Sequence, residues 1–274
     1  MDRLTSIPAY SLPPANRRVL LARRPHGVPQ PDDFAIDQAA IPEIGPREFL
    51  VRNIYLSVDP AQRGWASAEA NYSQPVRLGT PMRALAVGVV VRSNDPEVRE
   101  GEFLYGWFGW QDYAAADRGR IMMRCRAAVP LSAHAGLLGI NGLTAHLALT
   151  ELGRPVAGDV LLVSTAAGSV GGFVGQIGKL LGCRTVGLTG DDVKVALCRE
   201  RFGYDEAHNY RTADLDAVLP DGINVFFDNT GGAILDAAPR RAAWRLAAGS
   251  CSAARRPTRP GPRRPPAPAT SGRC

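Results

Sequence analysis

The sequence predicts an α/β protein in two parts, an all-β part followed by a doubly wound parallel sheet that stops short of its usual strand count. Three observations predict it. Up to about residue 126, short β-branched runs are punctuated by proline and glycine. Beyond residue 158, apolar strands alternate with helical segments. Five glycines crowd between Gly168 and Gly178, directly behind the first of those strands.

In order along the chain, VLLARRP, FLVRNIYLSVDP, AVGVVVRS and FLYGWFGWQDYAAA read as strands of the first domain, expected over residues 1–130. From Ser132 the period changes, and SAHAGLLGINGLTAHLALTELG reads as two helical segments broken near Gly139 to Gly142. DVLLVST is then a short, wholly apolar strand, RTVGLTG a second, EAHNYR a third and INVFFDNT a fourth, with helices after the first two. These make a second domain over 131–238. In such a sheet the ligand lies beyond the carboxyl ends of the strands, which puts the crevice at Thr165, Thr189 and Asn229.

The 274 residues, 45% hydrophobic, are enough to bury a core in each part. No apolar run approaches the roughly 18 residues of a membrane span, and the first residues lack the apolar block of a secretory signal. A cytoplasmic protein is expected, with no membrane partner. The five cysteines are odd in number and never form a C-x-x-C pair, which argues against a disulfide framework and against a structural zinc site. The net charge of +6 resides in the tail: nine of the 32 basic residues fall between 240 and 274 without an acid, leaving 23 basic against 26 acidic groups elsewhere. A body of net −3 offers no electrostatic footprint for nucleic acid, so that reading rests on the tail alone.

The glycines carry the chemistry. In STAAGSVGG they follow a buried strand and open a helix, the context a dinucleotide fingerprint requires. Gly168 suits the tight turn, and Gly171 lets main chain approach a diphosphate held at the helix N-terminus, where unpaired N–H groups and the dipole favour anions. Gly175 and Gly178 fall on the face toward the sheet, where a missing side chain permits close packing. The pattern is A-x-G-x-x-G, without the usual first glycine, and a tight strand-to-helix turn with no ligand is the competing reading.

NAD-binding sheets of this kind place an acid at the end of the second strand. Here Leu188, Thr189 and Gly190 stand there, and Lys194 lies one turn into the next helix, within reach of a 2′-phosphate. NADP is therefore the expected cofactor, although Asp191 and Asp192 offset the lysine's field and Lys194 also fits a solvated helix face.

Taken together, YLSVDPAQRGW, GWFGWQDYA, LLGINGLTAHLAL, AAGSVGGFVGQIGKLLG, KVALCRERFGYDEAHNY and PDGINVFFDNTGG resemble, in order and spacing, the zinc-independent medium-chain dehydrogenases/reductases. The branch is that of the prostaglandin and leukotriene reductases and their bacterial NADP-dependent relatives. The resemblance spans about residues 49 to 232. It implies a GroES-like β domain that walls the substrate and an incomplete Rossmann domain that holds NADPH. It further implies Gly168, Ser169, Val170 and Gly171 along the diphosphate, Lys194 and Tyr210 at the 2′-phosphate and Asn229 beside the cofactor; as residues alone, Tyr210 also reads as a half-buried strand tyrosine and Asn229 as a turn former.

The implied reaction moves a hydride from NADPH to the β carbon of a small-molecule α,β-unsaturated ketone or aldehyde, and no residue is assigned as its proton donor. The zinc ligand motif G-H-E of metal-dependent cousins is absent, and His26, His134, His146 and His208 show no metal spacing. No G-x-S-x-G elbow occurs for hydrolysis. Ala61 and Gln62 stand where relatives often carry an aromatic or methionine, and His146 where a tyrosine is common, so the substrate class is left open. Tyr55, Trp107 and Trp110 are wall candidates or core aromatics.

From Cys251 to Cys274 there are six arginines and six prolines, with no aliphatic larger than alanine, no aromatic and no acid. Residues 239–274 are expected to be disordered. Two origins compete: a natural basic arm, or out-of-frame translation, because codons for 238–253 can be chosen whose shifted frame reads AAARRVAARGGFVQCG, like the family's next helix and strand. On the second view the sheet lacks its last strands, turnover is impaired, and a homodimer is expected only where the sheet edge is complete. A non-catalytic nucleotide-binding protein of the same fold is the alternative.

Overall fold

The computed structural model describes residues 7–69, 73–126 and 128–243. Its first part is built on antiparallel strands. β1 (Asn16–Leu21) pairs with β2 (Phe34–Ala39), and β3 (Phe49–Leu56), followed by helix α1 (Ala61–Trp65), is the centre of a second sheet. With β4 (Ala86–Ser93), β5 (Phe103–Gly106), β6 (Tyr113–Ala116) and β7 (Ile121–Arg124), that sheet runs in the order β6-β3-β4-β5-β7. Alternate residues of β3 and β4 point inward, so Phe49, Val51, Ala86 and Val90 close a core with Leu104, Phe108 and Ala114.

The run FLYGWFGWQDYAAA is two strands and not one: residues 107–112 form a turn that brings β6 back beside β3. Strands β2 and β7 are additional to those predicted. Both are short and half exposed, so neither carries an apolar run to announce it.

Helix α2 (Leu131–Ala135) packs Leu131 and Ala135 against Leu85, Val87 and Tyr105 of the β domain. Helix α3 (Ile140–Leu147) follows a break at 136–139, a few residues before the break expected near Gly139 to Gly142. Gly142 lies inside α3, because a Cβ there would sit 1.8 Å from the Leu137 carbonyl oxygen.

The parallel sheet contains β8 (Val160–Ser164), β9 (Arg184–Thr189), β10 (Glu206–Asn209) and β11 (Ile223–Phe227) in the order β10-β9-β8-β11. Helix α4 (Ser169–Leu180) follows β8, α5 (Asp192–Glu200) follows β9, α6 (Leu215–Val218) precedes β11 and α7 (Gly232–Ala237) follows it. β8 is apolar from Val160 to Val163 because both of its faces are covered. Leu161 and Val163 meet Val174 and Tyr204 on one side; Leu162 meets Val186, Leu188 and Ile234 on the other.

Residues 239–243, expected in the tail, are folded. A 3₁₀ turn over Ala238–Arg241 leads to Ala242, which bridges Ile223 in parallel, and the Ala243 amide donates to the Ile223 carbonyl at 2.8 Å. Asn224 ties this edge together: its side-chain carbonyl accepts from Val160 N–H and its amide donates to the Ala243 carbonyl. The rest of the predicted tail lies outside the described residues. Among the described residues no helix is long and apolar enough to cross a membrane.

Candidate nucleotide site

The turn after β8 is held at both ends. The Ala166 amide donates to the Leu188 carbonyl of β9 at 3.0 Å, and the Gly168 amide to the Thr165 carbonyl at 2.8 Å. Thr165, not Gly168, takes the left-handed conformation (φ +50°), while Gly168 is extended at φ −76°, ψ 173°. A β-branched residue in that region is strained. It is retained here by a 2.6 Å hydroxyl contact between Thr165 and Thr230.

The glycines are bare because the turn folds onto itself. A Cβ on Gly168 would lie 2.8 Å from the Thr165 methyl, and one on Gly171 only 2.3 Å from the Thr165 carbonyl oxygen. Gly175 and Gly178 pack on the sheet side as predicted. Cβ atoms there would lie 2.2 Å from the Tyr204 ring and 2.4 Å from Leu161. Tyr204 is buried, donates from its hydroxyl to the Gly171 carbonyl at 2.7 Å, and is held neutral by desolvation.

The first intrahelical bond of α4 runs from Gly172 N–H to the Gly168 carbonyl at 2.8 Å. The amides of Ser169, Val170 and Gly171 therefore precede the ladder and point out of the helix end. No side chain caps that end. Asn141 of α3 reaches it, donating to the Ser169 hydroxyl at 2.8 Å, and the Ile140 amide donates to the Tyr105 hydroxyl of the β domain at 3.1 Å.

At the end of β11, Asn229 faces the same corner. Its side-chain amide donates to the Ser164 carbonyl at 2.9 Å and its main-chain amide to the Ser164 hydroxyl at 2.7 Å, while that hydroxyl donates to Asp228 at 2.6 Å. Asp228 also accepts from the amides of Thr230 and Gly231. Ser164, Asp228 and Thr230, none of them singled out by the sequence reading, thus weld the ends of β8 and β11 together with Thr165, which that reading placed at the crevice. The only sequence signal for them is polar residues in succession at the end of each apolar strand.

The end of β9 is built differently. Asp191 caps α5, accepting from the Lys194 amide at 2.8 Å, and the Lys194 ammonium turns back to the same carboxylate at 3.2 Å. These bonds hold the Asp191 carboxyl below its ordinary range. Tyr210 is brought to this corner: its hydroxyl lies 3.4 Å from the position a Cβ on Gly190 would take, with the Arg211 Nε at the same distance.

Tyr55 and Trp107 sit elsewhere, partly exposed at the edge of the apolar cluster around Leu85, Val87 and Tyr105. Trp107 also meets Trp65 edge-on at 5.7 Å, and Trp110 donates from its indole to the Ser57 carbonyl. Gln62 is buried, bonding the Ser57 and Arg83 carbonyls and the Asp59 amide, so it braces loops. His134 is wholly buried between the Arg126 amide and the Pro130 carbonyl, whereas His146 is exposed. Among the described residues no group of three or more His, Cys, Asp or Glu is arranged to hold a metal ion.

An antiparallel β domain joined to a parallel sheet whose first strand turns into an uncapped, glycine-rich helix end is the architecture of the class of two-domain, nucleotide-dependent oxidoreductases. Residues 17–123 match the family model described as the N-terminal domain of oxidoreductase. The NADPH-dependent curcumin reductase of Escherichia coli is 38% identical over 226 residues, covering 81% of this chain and 66% of that protein. The 2-alkenal reductase (NADP(+)-dependent) of Nicotiana tabacum is 37% identical over 234 residues, covering 81% and 68%. The crystal structure of CurA in complex with NADPH from Vibrio vulnificus superposes with a TM-score of 0.77 at 38% identity, covering 82% and 68%. The chain thus spans about two thirds of the length of these relatives. It belongs to the medium-chain dehydrogenase/reductase superfamily, in the branch of NADP-dependent alkenal and prostaglandin reductases.

Proposed function

We propose that the chain is an NADPH-dependent reductase of the C=C bond of α,β-unsaturated ketones and aldehydes. The observation that carries this reading is the start of α4, where the amides of Ser169, Val170 and Gly171 precede the helical ladder and no side chain caps them, the arrangement that holds a diphosphate. Its likeness to enzymes named for curcumin and alkenal reduction supports the substrate class.

When bound, NADPH supplies the hydride. In this reading the amides of Ser169, Val170 and Gly171 hold the diphosphate, with Gly168 and Val170 shaping the turn. Lys194 and Tyr210 receive the 2′-phosphate, and Asn229 fixes the floor of the crevice by clamping β11 to β8. Tyr55 and Trp107 form the apolar wall on the substrate side. A cytoplasmic location belongs to the same reading, supported by the free thiols of Cys125 and Cys198.

Fluorescence titration with NADPH and NADH, followed by NADPH oxidation with 2-alkenals and their saturated counterparts, tests this reading. The expected result is preference for NADPH and consumption only with the unsaturated aldehyde. Binding of neither nucleotide overturns it.

A further inference from the structure

A side chain from outside the parallel sheet reaches the bare end of α4, at a position to which the sequence reading gave no role. Asn141 lies in the first turn of α3, and its side-chain amide donates to the Ser169 hydroxyl at 2.8 Å. A serine hydroxyl gives one proton and accepts at two lone pairs. Asn141 takes up a lone pair, and among the described residues no acceptor takes the proton. Ser169 is exposed, beside the amides of Val170 and Gly171 that precede the helical ladder. Asn141 is itself held in place. The Ile140 amide donates to the hydroxyl of buried Tyr105 at 3.1 Å, the Leu143 amide donates to the Gly139 carbonyl at 3.0 Å, and Gly142 packs against the Leu137 carbonyl.

We propose that Asn141 is a positioning residue for the diphosphate: by donating to the Ser169 oxygen, it leaves the hydroxyl proton for a phosphate oxygen. A hydrogen bond from a hydroxyl to an anionic oxygen is about twice as strong as a neutral one, so the direction of that one proton bears on affinity. Asparagine suits the task because its amide donates without carrying charge. An aspartate in its place would accept the Ser169 proton and set a negative charge beside the diphosphate. The same turn of α3 rests on Tyr105, so the contact is braced from the β domain. The inference rests on the NADPH reading above and adds to it a residue outside the glycine turn.

The test is NADPH affinity in the full chain, by fluorescence titration, for the natural sequence, Asn141→Ala, Asn141→Asp, Ser169→Ala and the Asn141→Ala/Ser169→Ala pair. Calorimetric titration with 2′-AMP, which carries a 2′-phosphate and no diphosphate, runs beside it. Ser169→Ala is expected to weaken NADPH about 10-fold, the weight of one hydrogen bond to a charged group, and Asn141→Ala about fivefold. The pair should stay within about twofold of Ser169→Ala alone, because Asn141 acts through that hydroxyl. Asn141→Asp should cost the most, on the order of 30-fold. Affinity for 2′-AMP should stay within about twofold throughout, a constancy that a merely structural role for Asn141 would not produce. A natural chain that binds NADPH, with Asn141→Ala leaving it unchanged, losing 2′-AMP in step, or adding its full loss to Ser169→Ala, overturns the assignment while the cofactor reading stands. A natural chain that does not bind NADPH overturns both.

Discussion

The ends of β8 and β9 lie side by side in one sheet, and on the proposed reading they would meet phosphate in opposite ways. At β8 the work is done by main chain: glycines are required because the turn closes onto the Thr165 carbonyl, and Tyr204 locks the helix from behind. At β9 it is done by side chains on the surface, Lys194 and Tyr210, around a glycine whose neighbours stand at ordinary contact distance. The first kind of site is part of the fold and cannot change without it. The second is laid over a fold that does not depend on it, and so is where cofactor preference can drift.

The sharpest way to break that contrast is a pair of glycine substitutions. Gly171→Ala places a methyl 2.3 Å from a carbonyl oxygen, and is expected to destabilise the chain by about 2–3 kcal/mol and to abolish NADPH binding. Gly190→Ala should change stability by less than about 1 kcal/mol while still weakening NADPH. Urea denaturation of both variants reads the difference; equal losses of stability would dissolve the distinction. Ser164→Ala removes a donor from Asp228 and an acceptor from the Asn229 amide, and should cost about 1–2 kcal/mol in the same assay.

Alkaline titration sharpens the comparison from beneath the β8 site. Burial pushes the Cys198 thiol up to about 11 from 9.0, and raises the Tyr204 phenol with it. Both groups keep their protons in the folded chain when the unfolded chain would release them. Their contribution to stability is therefore fully present below pH 9.0 and declines as pH rises toward 11. The urea midpoint should fall across that window, and Cys198→Ala should flatten the fall. A midpoint constant from pH 9 to 11 would contradict it. At the β9 end the smallest effect is expected: Lys194→Ala removes an exposed pair and should shift stability by no more than about 0.5 kcal/mol.

The same contrast explains how much of the molecule could be read beforehand. Four parallel strands and the glycine helix were legible because both faces of β8 are covered and α4 must approach Leu161 and Tyr204 without side chains; burial writes itself into composition. Strands β2 and β7 were not, since half-exposed edge strands need no apolar run. Within the site, Asn229 was visible as a turn residue, but its pairing with Ser164 depends on two strands 65 residues apart meeting at one level. The left-handed Thr165 was invisible for a different reason. Propensity alone puts glycine at such a position, and only the surrounding contacts keep threonine there.

The rung between Ile223 and Ala242 has a practical side. Direction and alignment are already decided at that rung, with Asn224 acting as a clasp across three backbones. A β segment spliced after Ala243 would start beside β11 in the parallel sense that this bridge already sets.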